Sequence, residues 1–209
     1  ESAQQLSVVQ QLLARRDEVT RAKRYLAYFQ AYTSTYAEVE YLQRMYEEAL
    51  SVSDMVGLCV GTRPDCVPDA VLDLLAGYQA RGYEVWLELG LQSANDKTLQ
   101  RINRGHGYAA YEDAVSRAHA RGIKVCAHLI VGLPGEVPMD SLDTLHRIVA
   151  TGIEGIKLHP LHVVEGSILG KAWQAGRLEV LSLDQYVEAA VAMIQHTPPE
   201  VVYHRISAS

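Results

Sequence analysis

Phenylalanine occurs once in these 209 residues, tryptophan twice and cysteine three times. No apolar run approaches the roughly 18 residues that span a bilayer, and no charged-then-apolar leader opens the chain, so no membrane role is expected. Cys59, Cys66 and Cys126 cannot all pair with one another, which excludes a secreted disulfide framework and predicts a reducing, cytoplasmic setting. Basic residues are not in excess: 19 Lys and Arg against 25 Asp and Glu leave −6, a poor start for a general nucleic-acid binder. With 48% hydrophobic and 21% charged residues, disorder and low complexity are excluded as well. The length fits one domain, 1–209, and the opening at Glu1 in place of Met raises the expectation of a fragment or a processed chain.

What is present is one supersecondary unit, repeated. Short β-branched or aromatic runs at 25–32, 55–62, 84–92, 123–131 and 153–161, with a last candidate at 200–206, alternate with longer helix-patterned stretches. The spacing leaves room for one crossover helix each time, as parallel strands require. Residues 38–50 and 69–80 carry apolar positions at helical spacing, and 1–24 reads as a leading helix. Gly82, Gly122 and Gly152 sit where a left-handed helix cap is wanted; Pro68, Asn95-Asp96 and Pro138 sit where the next helices begin. Five or six strands fall short of the roughly 250 residues of a complete eight-stranded barrel. The expected fold is α/β, a partial TIM-like barrel of five or six parallel strands over 25–206, with a doubly wound open sheet as the second choice.

Strand alternation assigns the faces. In 84–92 the odd positions Val85, Leu87, Leu89 and Leu91 are apolar and should meet helices, which turns Glu88, Gly90 and Gln92 inward. An unpaired buried polar group costs on the order of 1–3 kcal/mol, so these side chains need partners. The same parity turns His128 inward, groups Lys157 with His159, and groups Tyr28 with Gln30 and Tyr32, while Arg63 and Asp65 belong to the loop after 55–62. Each has a bland alternative: His128 as a bonded core residue, Lys157 as an ion-pair partner of Glu88, the tyrosines as packing, the cysteines as inert core thiols. The convergence near C-terminal strand ends is what points to a ligand.

Two loops add to this. Leu133-Pro134-Gly135-Glu136 follows a buried strand and precedes a helix start, offering tight turns and free amides. Asn103-Arg104-Gly105-His106 supplies a guanidinium able to clamp a carboxylate, or else one that complements a helix end. In order along the chain, Gly61-Thr62-Arg63-Pro64-Asp65, Glu88-Leu89-Gly90-Leu91-Gln92-Ser93, Asn103-Arg104-Gly105-His106 and Leu129-Ile130-Val131-Gly132-Leu133-Pro134-Gly135-Glu136 resemble the radical S-adenosylmethionine (SAM) superfamily, in its Elongator-catalytic-subunit-like branch. Tyr28–Thr35 and Lys157–His162 carry the resemblance through nearly the whole chain.

The resemblance implies a radical SAM enzyme with SAM and a [4Fe–4S] cluster at the mouth of a partial (β/α)6 barrel. Reductive cleavage of SAM there yields a 5′-deoxyadenosyl radical that abstracts hydrogen from a substrate. It further implies SAM contacts from Tyr32 and Thr33 at the second strand end, Gln92 at the ribose, Arg104 near the methionine carboxylate, and His128, His162 and Val163 around the nucleoside. Glu88 joins this cofactor-binding set. Tyr28, Gln30, Arg63, Lys157 and His159 are the substrate candidates. The implied partners are an electron donor such as a flavodoxin or ferredoxin and an unidentified substrate, with tRNA suggested by the Elongator relatives. The family's three-cysteine cluster motif has no counterpart, since Cys59 and Cys66 stand on the wrong strand. The expectation is that the first strand and its cluster loop lie upstream of Glu1, and that the chain alone is inactive. Two other readings compete. One is a metal-dependent barrel hydrolase or lyase using His128, His159 and His162 with Glu88 or Asp65. The other is a tRNA-binding module using Arg15, Arg16, Arg21, Lys23 and Arg24.

Overall fold

A computed structural model describes residues 24–30 and 36–206. Its elements are β1 (Tyr25–Gln30), α1 (Tyr36–Leu50), β2 (Met55–Thr62), α2 (Asp69–Ala80), β3 (Glu84–Gln92), α3 (Asp96–Arg101), α4 (Tyr108–Ala120), β4 (Lys124–Val131), α5 (Pro138–Ala150), β5 (Gly155–Pro160), α6 (Ile168–Gln174), α7 (Leu183–Gln195) and β6 (Val202–Arg205). The strands form one sheet in chain order, β1 to β6. Each strand-like run of the sequence is a strand here, trimmed by one or two residues at some ends; residues 31–32 of the first run, and nearly all of the leading helix over 1–24, lie outside the described residues.

Contacts divide the described residues into two compact units, one within 24–88 and 117–124, the other within 89–116 and 125–206. In the first, β1 and β2 pair in parallel, with Tyr28 opposite Cys59 and Gln30 opposite Gly61. Helix α1 buries Leu42, Tyr46, Ala49 and Leu50, positions three and four apart on one face. Tyr46 is fully buried and meets the rings of Phe29 (5.2 Å) and Tyr78 (6.2 Å). Helix α2 buries Val71, Leu72, Leu75 and Tyr78. Gly57 leaves room for the neighbouring backbone: a Cβ there would lie 1.8 Å from the Glu84 carbonyl oxygen. The helix stops are as the sequence indicates, with Gly82, Gly122 and Gly152 all at left-handed φ (94°, 72° and 78°).

In the second unit β4, β5 and β6 pair in parallel, with His128 opposite Lys157 and Ile130 opposite His159. Val125, Cys126, Ala127, Leu129 and Val131 of β4 are buried, as are Ile156 and Leu158 of β5. Helix α5 starts at Pro138 and buries Leu145 and Ile148; α7 buries Tyr186, Ala189, Ala190 and Met193. No helix among the described residues is long and apolar enough to cross a membrane.

Candidate functional site at the end of the third strand

The last residue of β3 combines two unusual features. Gln92 has a φ of 73°, in the left-handed region that a non-glycine residue seldom occupies, and is only 9% exposed. Its side-chain oxygen Oε1 is buried and accepts no hydrogen bond. Backbone strain and an unsatisfied buried acceptor each cost on the order of 1–3 kcal/mol, and such costs collect at ligand sites.

Arg104 arrives at the same strand end. Its Nη2 donates to the carbonyl of Gly90 (2.7 Å), two residues before Gln92, and its Nε to Nε2 of His106 (3.2 Å). The end of α3 delivers it there. Asn103 takes φ 57° just past the helix, its amide donating to the Gln100 carbonyl while the Arg104 amide donates to that of Leu99. That pair of bonds is a Schellman stop, with asparagine in the place usually held by glycine. The start of α3 is equally fixed, since the Asn95 side chain accepts from the amides of Lys97 and Thr98.

Glu136, from the Leu133–Glu136 loop, locks this segment. Its Oε2 accepts from the hydroxyls of Ser93 (2.7 Å) and Thr98 (3.0 Å), and Ser93 Oγ in turn accepts from the Asn95 amide (3.0 Å). Burial pushes the Glu136 carboxyl above its ordinary value, only partly opposed by these two hydroxyls. Arg101 Nη1 donates to the Pro134 carbonyl (2.6 Å) across the same loop, and Gly135 at φ 80° makes that approach possible.

His128 and His159 meet edge to face, with ring centroids 4.8 Å apart. Nε2 of His128 is buried without a hydrogen-bond partner. Burial first, then the charges of His159, Lys157, Arg104 and Arg205, pull its pKa down to about 3, so the ring is neutral at physiological pH.

The remaining expected residues are placed as follows. Glu88 is buried in the first unit, where Tyr28 donates its hydroxyl proton to Oε1 (3.2 Å) and the Cys59 thiol approaches Oε2 (3.9 Å). Burial and the Glu88 charge push the Tyr28 hydroxyl up to about 12. Arg63 forks onto Asp65 through Nε (2.9 Å) and Nη2 (2.8 Å) in the loop after β2, so both carry a local ion pair. Gln30 is exposed at the end of β1. His162, exposed, and Val163 follow β5, which ends at Pro160, two residues short of His162. Tyr32 and Thr33, with Arg15, Arg16, Arg21 and Lys23, lie outside the described residues. Sequence reasoning missed the role of Glu136 as the acceptor for Ser93 and Thr98, which no local pattern signals.

The metal-hydrolase alternative finds no ligand set. Among the described residues no three His, Cys, Asp or Glu side chains are grouped to hold a metal ion. The cysteines do not fit an iron–sulfur cluster either: Cys59 and Cys126 are buried within β2 and β4, and Cys66 lies in the loop before α2 with its thiol pushed up by burial.

Comparison with known proteins identifies the family and the fold. Residues 3–148 match the Radical SAM superfamily and residues 153–209 the Radical SAM C-terminal domain. Protein YhcC of Escherichia coli K12 is 64% identical over 209 residues, all of this chain and 68% of that protein. A tRNA uridine(34) acetyltransferase of Dehalococcoides mccartyi is 34% identical over 140 residues, 63% of this chain and 29% of that one. The structure of archaeal Methanocaldococcus infernus Elp3 superposes with a TM-score of 0.77 at 21% identity, over 97% of this chain and 53% of that one, and shares the partial (β/α)6 fold. On the superfamily match over most of its length and on its identity to YhcC, the chain belongs to the radical SAM superfamily of enzymes.

Proposed function

We propose that these residues form the SAM-binding part of a radical SAM enzyme. SAM-dependent radical chemistry is the general activity of the superfamily. When bound and reduced, SAM supplies a carbon-centred radical able to take hydrogen from a substrate; the residues described bind and orient it. The observation that carries the reading is the orphaned Oε1 of Gln92 beside a guanidinium fixed on Gly90. A ribose hydroxyl is the donor that Oε1 lacks, and a methionine carboxylate is the anion a guanidinium beside it suits. His128 and the backbone at His162 and Val163 complete the proposed cofactor set.

The three cysteines do not form a cluster site, so the work assigned to this chain is binding and orientation, not electron transfer. The proposal includes a reductant of the flavodoxin or ferredoxin class, because the superfamily's chemistry draws on one. A tRNA substrate is the second reading, favoured by the relative that acts on tRNA uridine 34. Calorimetric titration with S-adenosylhomocysteine tests the cofactor assignment. Binding that weakens at least tenfold in both Gln92→Leu and Arg104→Met is expected. Undiminished binding in both variants, or none by the unaltered protein, overturns it.

A further inference from the structure

Gln92 keeps an unfavourable backbone, and its surroundings must hold it there. A non-glycine residue at φ 73° persists only where neighbouring structure over-determines it. Strand β3 ends at Gln92, so the restraint comes from the residues that follow, Ser93 and Ala94, each 1% exposed. The Ser93 hydroxyl donates to Glu136 Oε2 (2.7 Å). The Ala94 amide donates to Thr144 Oγ1 (3.1 Å), and the Ala94 carbonyl accepts from Arg147 Nη1 (2.7 Å).

Both backbone groups of Ala94 and the side chain of Ser93 are thus gripped from one stretch of chain, Glu136 and the helix α5 behind it. Thr144 and Arg147 stand three residues apart on one face of α5. Arg147 is itself fixed: its guanidinium lies 3.9 Å from the centroid of the Tyr108 ring, and the Tyr108 hydroxyl donates to the Arg147 carbonyl (3.3 Å). Gln92, Glu136 and Thr144 line one crevice, together with Ser141 and Met193. None of these bonds reaches the side chain of Gln92, whose buried Oε1 accepts nothing. A fixed backbone with its side-chain acceptor left open is a binding group prepared before its ligand arrives.

We infer that Glu136, Thr144 and Arg147 are positioning residues, which hold Gln92 in its left-handed conformation and so present Oε1 to the cofactor. The inference rests on the assignment of Gln92 to SAM. None of the three has to touch SAM, because each acts through Ser93 or Ala94. The folded protein bears the strain in advance, so binding does not have to impose it.

A double-mutant cycle separates this role from a merely structural one. S-adenosylhomocysteine is titrated calorimetrically into the intact protein, Thr144→Val, Gln92→Leu and the combined variant. Thr144→Val keeps the side-chain shape and removes the acceptor of the Ala94 amide. It should weaken binding at least fivefold in the parent, yet less than twofold in the Gln92→Leu background, where Oε1 is gone. Glu136→Ala should weaken binding at least tenfold, and Glu136→Gln, which keeps an acceptor, should bind within twofold of the parent. Without any ligand, hydrogen exchange at the Ala94 amide should quicken at least tenfold in Thr144→Val, while the amides in the middle of β4 keep their rates. Weakening by the same factor in both backgrounds, or undiminished binding in Thr144→Val and Glu136→Ala, overturns the inference and leaves the cofactor reading intact. No binding by the parent protein overturns the cofactor reading and the inference with it.

Discussion

Replacing Glu136 by alanine removes the acceptor of two hydroxyls that have no access to water, since Ser93 and Thr98 are each 1% exposed. A hydrogen bond to a charged group contributes about 1.5–3 kcal/mol net. Against the two bonds stands the carboxylate's own desolvation, the largest cause of its raised pKa. The balance predicts a loss of about 3 kcal/mol, which lowers Tm by about 6–12 °C in a chain of this size. Glu136→Gln keeps an acceptor oxygen and removes the buried charge, so it should stay within about 1 kcal/mol of the parent. The two differ in pH dependence as well. Because its pKa is raised, folded Glu136 holds its proton over a range where the unfolded chain has lost it. Stability therefore falls as pH rises from the ordinary carboxylate range through the raised pKa, and Glu136→Gln lacks this fall. Urea unfolding at several pH values, with hydrogen exchange at the Asn95 amide, measures both effects. Equal losses in the two variants, or an alanine variant within about 0.5 kcal/mol of the parent, would refute the proposed lock.

His128 predicts an opposite slope. Its folded pKa is depressed to about 3, so the unfolded chain binds the extra proton first, and stability falls as pH drops below the ordinary imidazole value, by up to about 1.4 kcal/mol per pH unit. Unfolding free energies of His128→Asn should lack that component between pH 6 and 4, and a parallel profile would count against a buried neutral ring. Gly57→Ala forces a Cβ to within 1.8 Å of the Glu84 carbonyl oxygen, a backbone atom that cannot swing away. A loss of about 3 kcal/mol or more in chemical denaturation is expected, and an unchanged midpoint would contradict the packing of β2. Asn103→Gly, at φ 57°, should leave thermal stability unchanged or slightly raised, whereas Asn103→Val should lower it by about 1 kcal/mol or more.

Much of the architecture was legible because its signals are local. Alternation along 84–92 separated the apolar positions from Glu88, Gly90 and Gln92, and Gly82, Gly122 and Gly152 marked the helix stops that the structure shows. Asn95-Asp96 and Pro138 marked helix starts within one residue. At the site, the sequence singled out Gln92, Arg104 and His128, and the structure ties Arg104 to the strand that ends at Gln92.

Other features were invisible to periodicity because they depend on which distant segments meet. Arg63 and Asp65 were separate candidates until their side chains were seen forked together. Glu136 finds Ser93 and Thr98 from 43 and 38 residues away, a pairing that follows from how the loop after β4 lies over the end of β3. Lys157 stands opposite Arg205, where regular pairing would put His204, because of one irregular step in strand pairing. Pattern along the chain determined the elements, their faces and their ends, since a side chain's direction within a helix or strand is set by its immediate backbone. Which charges share a face, and which buried atoms go unsatisfied, was decided only when the strands took their register, because hydrogen bonding and desolvation are properties of neighbours in space.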